Sequence, residues 1–310
     1  MPTLPRWSGV EIRMLREAMR MSVREFASHL GISSRMVSKW EAGGADIFPR
    51  PSNQAVLDQC LSLAGIDAQR RFKFALDERS TVLSVDTPGG AFGAQNHIRH
   101  PIDGRPMVLV SPGIFLAGAQ NEPRWMEGFY IDVFPVTNAD YARFVSATGR
   151  QAPPHWAGAE PPRELADHPV VFVSWMDASG YATWARKSLP TSNQWEMTAR
   201  GSRGDVYPWG NQSTPAKCNV RENGIGHTTP VNRFHSGVSL YGAYDLCGNV
   251  WEWCGTETQP GRFVLKGGAF TSPFSRATPS AFNDASRYMM DDDTGFRCAT
   301  SVEAMDQMRS

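Results

Sequence analysis

Two periodicities divide the chain. From Trp7 to about Phe74, apolar residues recur at helical spacing behind serine caps. Ser8 with Glu11, and Ser22 with Glu25, are S-x-x-E boxes in which serine and glutamate each satisfy a backbone amide of the other. Val10, Met14, Leu15 and Ala18 follow the first box. Phe26, Ala27 and Leu30 follow the second, and Gly31 is placed to end that helix with positive φ. A third helix is predicted from Ser34, with Val37 and Trp40 inward and Gly43 and Gly44 stopping it. The segment from Ser52 to Leu63 predicts another helix capped by Gly65, and a last one spans Ala68 to Leu76. From Thr81 to Arg105 the chain is rich in Gly, Ser, Pro and His without an apolar period, and it reads as a linker.

Beyond the linker the pattern alternates at first. Met107 to Val110, then Phe115, predict a strand and turn, and Phe129 to Val136 a second strand. Thr137 caps a helix over Asn138 to Thr148. A VVFVSW strand leads to a helix from Asp177 to Lys187, and another helix covers Ser192 to Arg200. The rest is rich in Gly, Pro, Trp and Asn with little regular period, so its loops need specific polar contacts and buried indoles. The boundaries are 1–80, a linker over 81–105, and a second domain over 106–303.

Two short helices joined through a tight glycine turn form a helix-turn-helix. Ala27 is small where the helices cross, Gly31 supplies the turn, and Val37 anchors the second helix. The segment SVREFASHLGISSRMVSKWEAGG resembles the phage-repressor-like family of bacterial DNA-binding domains. In that geometry the start of the second helix enters the major groove. Arg35 is placed for a bidentate contact to guanine, and Ser33, Ser34 and Ser38 can meet bases or phosphates. Arg24 and Lys39 suit phosphates, which fix register without reading sequence. The implied partner is double-stranded DNA. One such domain binds weakly, so a homodimer on a two-fold site is expected.

The C-terminal motifs are more specific. FVSWMDASGYATWARKSLPTSNQWEMTARG, YPWG, YGAYDLCGNVWEW, KGGAF and GFRCA follow one another between Phe172 and Ala299. Together they resemble the formylglycine-generating enzyme family, whose members oxidise a sulfatase cysteine to an aldehyde. The resemblance implies an irregular α+β fold related to C-type lectins, so the whole chain reads as an all-α helix-turn-helix bundle followed by that domain. Trp175, Trp184, Trp195, Trp209, Trp251 and Trp253 fall in these motifs and suit core packing. The family carries two copper-binding cysteines after KGG. Ser272 and Ala277 stand there instead. Binding Cu(I) needs soft thiolates, which neither provides, so no copper is expected. Of the five cysteines, Cys247 and Cys254 flank GNVWEW and could approach each other, while all five read as reduced buried residues.

The resemblance also implies a calcium site at Asp245, Gly248, Val250 and Glu252, where a cation would resolve two neighbouring acids with hard oxygen donors. A second family calcium site keeps Asn219 and Val220 but lacks the later aspartate. The substrate groove of the family lies between KGG and GFR. Ser272, Phe274, Arg276, Asn283, Arg287 and Tyr288 are its candidates here, side chains suited to adaptable recognition.

Composition adds bounds. Basic and acidic side chains balance at 31 each, so net charge names no partner. No apolar run reaches the roughly 20 residues that a membrane span needs. The first residues lack a secretory pattern, and the odd cysteine number argues against a disulfide framework, so a cytoplasmic location is expected. His97, His100 and Asp103 read as solvated linker residues, not a metal site. The reading is a DNA-binding regulator, not an enzyme, whose second domain senses a ligand, peptide or protein. One alternative is an oxidase with a non-heme metal, although the seven histidines show no cluster for it. Another is a variable lectin-like binding protein.

Overall fold

The computed structural model describes residues 7–44, 47–65, 67–69, 71–73, 75–76 and 97–309. The chain divides into two compact units, residues 1–94 and 95–310.

The first unit contains α1 (Gly9–Ala18), α2 (Val23–His29), α3 (Ser34–Ala42) and α4 (Pro51–Leu63). Both serine–glutamate boxes form as the spacing requires. Ser33 caps α3 by accepting the Met36 amide at 3.3 Å. Gly31 takes φ +69°, so the chain turns there without a Cβ penalty. Trp7, Ile12, Leu15, Phe26, Val37, Trp40, Leu57 and Phe72 fill the core. Gly65 does not cap α4. The helix ends one residue earlier in extended backbone at Ala64 (ψ 143°). The expected helix over 68–76 lies partly outside the described residues, and residues 81–96 of the expected linker lie wholly outside them.

The linker stops sooner than its composition indicates. Residues 97–105 belong to the second unit: β1 (His97–Arg99) pairs antiparallel with β2 (Pro106–Val110). His100 and Asp103 are buried together, 3.0 Å apart, and are not solvated. Lys187 binds both Asp103 and Asp132 at 2.7 Å, and Arg105 pairs with Asp132 and Asp140. Buried charges persist only when matched in this way.

The second unit has a sheet in the order β1, β2, β5 (Phe129–Asp132), β10 (Ala299–Ser301), and a hairpin of β3 (Gly113–Ala117) with β4 (Glu122–Met126). A further sheet runs β8 (Phe282–Ser286), β7 (Arg262–Lys266), β6 (Trp251–Gln259), β9 (Thr294–Gly295), with β6 and β9 parallel. The helices are α5 (Asn138–Thr148), α6 (Trp175–Trp184), α7 (Ser192–Arg200) and α8 (Val302–Arg309). Helices α5 and α7 keep their predicted limits, because Thr137 and Thr191 each close a capping box. VVFVSW is not a strand. Val170 donates to Val136, Phe172 donates to Asp291, and Phe172 takes φ +55°, which breaks any ladder. Helix α6 starts at Trp175, before the expected Asp177, because Asp177 is the acid that bonds back to its cap, Ser174. Tyr141, Phe144, Tyr181, Trp253 and Phe296 pack the main core between the helices and the β6 sheet.

Candidate functional site

The loop between Asp245 and Glu252 is built from unusual backbone. Asp245, Gly248 and Asn249 take φ of +55°, +84° and +68°. Asn249 locks them in place: its amide donates to Asp245 Oδ2 at 2.8 Å and to the Thr229 carbonyl at 3.1 Å. Its Oδ1 accepts from the Thr229 amide and from Asn219 Nδ2. Asn219 Oδ1 is buried without a hydrogen-bond partner among the described residues.

Glu252 is not an acid awaiting a cation. Arg297 binds Oε2 through Nε and Oε1 through Nη2, both at 2.7 Å, and Trp195 Nε1 donates to Oε2 at 2.8 Å. Arg297 already neutralises Glu252, so no cation is needed to hold this acid beside Asp245. A carboxylate has about four lone-pair positions, and three are used here. The Gly248 carbonyl also accepts from the Val250 amide at 3.0 Å. The four expected calcium ligands thus fit only in part. Asp245 remains the charge without a strong partner. Burial pushes its carboxyl up to about 7, Glu252 adds to the rise, and Asn249 and Arg297 oppose it.

Ser272 and Ala277 are both buried. Ser272 Oγ accepts the Ala269 amide at 3.1 Å. Ala277 lies in an apolar cluster with Tyr207, Cys218, Val220 and Cys247, where Trp209 and Phe274 also pack. A Cβ on Gly268 of KGG would come 2.8 Å from Ala277 Cα, so that glycine is needed for the close approach. The candidate groove residues fall into separate contact sets. Phe274 stacks on Tyr207 at 4.9 Å between centroids. Arg287 instead lies over Phe263 and Trp175, at 5.7 and 5.8 Å from their rings. No hydrogen bond or ring contact joins these two sets among the described residues. Arg276, Asn283 and Tyr288 are exposed.

Cysteine placement also differs from expectation. Cys247 shares a buried cluster with Cys218, while Cys254 lies in a different one, carried by β6 beside Trp195 and Leu246. Spacing along the chain could not reveal a partner brought in from 29 residues away by a backbone bridge at Asn219 and Gly248. Arg297 was present in GFRCA, but its bond to Glu252 spans 45 residues and has no local signature.

Residues 94–302 match the Sulfatase-modifying factor enzyme 1-like domain family. The chain belongs to this family. A formylglycine-generating enzyme of Thermomonospora curvata is 32% identical over 285 residues, covering 62% of this chain and 92% of that protein. The inactive C-alpha-formylglycine-generating enzyme 2 of Mus musculus is 33% identical over 233 residues, covering 56% and 75%. Among solved structures, PvdO from Pseudomonas aeruginosa shares the fold, with TM-score 0.57 and 20% identity over 70% of this chain and all of that one.

The sulfatase-modifying-factor domain leaves α1 to α4 outside the matched residues. On α3 and the turn before it, Ser33, Ser34, Arg35, Ser38 and Lys39 are exposed, while Val37 and Trp40 are buried. Arg24, at the start of α2, is exposed as well. Among the described residues no helix is long and apolar enough to cross a membrane.

Proposed function

We propose that the chain is a DNA-binding transcriptional regulator whose formylglycine-generating-enzyme-like domain senses a ligand, peptide or protein partner. One observation carries this reading: the outward face of α3. Arg35, Ser38 and Lys39 share it with Ser33 and Ser34, and the buried Val37 and Trp40 point the other way. Arg16, by contrast, is tied to Glu41 at 2.6 Å. Cations and hydroxyls at the start of a helix suit a major groove, where arginine reads guanine and serine meets bases or phosphates. Two copies on a two-fold site would supply the affinity that one lacks, and such a protein works in the cytoplasm.

In the second domain, Ser272 and Ala277 remove the soft ligands of copper chemistry while the fold is retained. That combination suits recognition. Calcium belongs to the proposal in reduced form. Asp245 and the carbonyls of Gly248 and Val250 would hold it, with Glu252 offering at most the remaining lone pair of Oε1. The deciding experiment is recovery of genomic DNA fragments with the full-length protein. Enrichment of discrete sites sharing a two-fold sequence is expected, and even recovery of all fragments would overturn the proposal.

A further inference from the structure

Cys218 and Cys247 are neighbours because the backbone beside them is bridged. Asn219 and Gly248 form an isolated parallel bridge, and the Asn249 amide donates to the Asn219 carbonyl at 2.8 Å. The approach is so close that a Cβ on Gly248 would lie 2.3 Å from that carbonyl oxygen. This bridge sets the two preceding residues side by side. Cys218 and Cys247 share one buried cluster, and the Cys218 thiol donates to the Pro215 carbonyl at 3.6 Å. Each residue is 2% exposed. Around them stand Tyr207, Val220 and Ala277, with Phe274 and Trp209 stacked on the Tyr207 ring at 4.9 and 5.1 Å.

We propose that Cys218 and Cys247 are a modification site, a reversible disulfide closed by exchange with a small-molecule disulfide. Residues facing each other across neighbouring strands have Cα atoms about 4.8 Å apart. A disulfide needs Cα atoms roughly 4.4–6.8 Å apart, a range that includes this spacing. The alternative occupant of a dithiol is a soft cation held by two thiolates. A monovalent cation held this way would leave net negative charge against Tyr207, Val220 and Ala277, walls that offer little solvation. A divalent cation would be neutral there but would want about four ligands, which these apolar walls do not supply, whereas a disulfide carries no charge and needs none.

The exchange balances in two steps. One cysteine, as thiolate, attacks the small disulfide, forms a mixed disulfide and releases one small thiol. The second cysteine then loses its proton, attacks the protein sulfur of that mixed disulfide and expels the other small thiol. Two protein S–H bonds and one small-molecule S–S bond become one protein S–S bond and two small-molecule S–H bonds. The dithiol is oxidised by two electrons and the small disulfide is reduced. Because both sulfurs are covered, the first attack waits on local opening beside Trp209, so closure is slow and selective.

The test uses the full-length protein, equilibrated over a series of ratios of oxidised to reduced glutathione, quenched in acid, alkylated and digested without reduction. Two of the five thiols should be lost together. A single cross-linked peptide should join Cys218 to Cys247, and dithiothreitol should release it. The wild-type chain gives this readout, so it does not depend on a variant folding. Cys254→Ser should leave the cross-link intact, and Cys218→Ser should remove it without a substitute pair. Five free thiols at every ratio, or a bond from Cys247 to any other cysteine, overturns the proposal.

Discussion

Arg297 grips both carboxylate oxygens of Glu252, and neither side chain reaches solvent. The remaining donors of Arg297 go to the carbonyls of Asp132, Val133 and Tyr244. One guanidinium thus joins β5, the loop before Asp245 and the start of β6. Removing one member of a buried pair strands the other charge, at a cost of about 3–5 kcal/mol. Arg297→Met should therefore lower unfolding stability by that amount in urea titrations. Pairing it with Glu252→Leu should recover much of the loss, because an apolar pair leaves no unpaired charge. A double variant no more stable than Arg297→Met would show that the backbone carbonyls, not Glu252, set the cost.

Asp245 gives a pH dependence of defined sign. An unfolded aspartate ionises near 3.9. In the fold, burial holds the Asp245 proton to about 7. Between those values the folded chain keeps a proton that the unfolded chain has lost. This contribution to stability is complete below about pH 4 and is lost as pH rises through 7. Asp245→Asn should flatten that fall and give a metal-free variant more stable than the parent at pH 8. Calcium should act in the opposite sense, since it binds the ionised carboxylate of the folded state. Thermal melts of chelator-stripped protein at pH 8, with and without calcium, check this. Identical curves would remove calcium from the proposal.

The sequence was legible where structure is local. Thr137 with Asp140 and Thr191 with Gln194 write the starts of α5 and α7 into four-residue boxes, and those helices match to the residue. Gly31 does the same for the turn before α3. It was illegible where a distant partner decides. Nothing near His97 announces that it will pair with Val108, so β1 read as linker. VVFVSW has the composition of a strand, yet Asp291 captures Phe172 and the ladder never forms. The candidate site follows the same rule. Asp245 and Glu252 were found from one short segment, whereas Arg297 and Cys218 arrive from elsewhere in the chain.

Ser272 and Ala277 make a chemical prediction. Ser272 Oγ is already bonded to the Ala269 amide, and Ala277 offers only a methyl group. Purified protein given copper, oxygen and a cysteine peptide of the sulfatase type should leave that cysteine unoxidised. Peptide mass spectrometry reads the outcome directly. An aldehyde product would mean that other side chains supply the soft ligands, and sensing would no longer describe this domain.

The last prediction concerns Arg35 and separates reading from holding. Arg35 is exposed on the second residue of α3, behind the Ser33 cap, and no carboxylate pairs with it among the described residues. If it forks onto a guanine edge, Arg35→Ala removes one base contact and leaves the phosphate contacts of Arg24 and Lys39. Affinity for the recovered site should fall by about 1–3 kcal/mol, with little change on random duplex. Lys39→Ala should weaken both alike and reduce the salt dependence by about one counterion. Neither change should unfold the bundle, because the core under α3 is Val37 and Trp40. Titrations of cognate and random duplex at several salt concentrations distinguish the two roles. Equal losses on both duplexes for Arg35→Ala would assign Arg35 to phosphate and leave sequence reading to the serines of the same face.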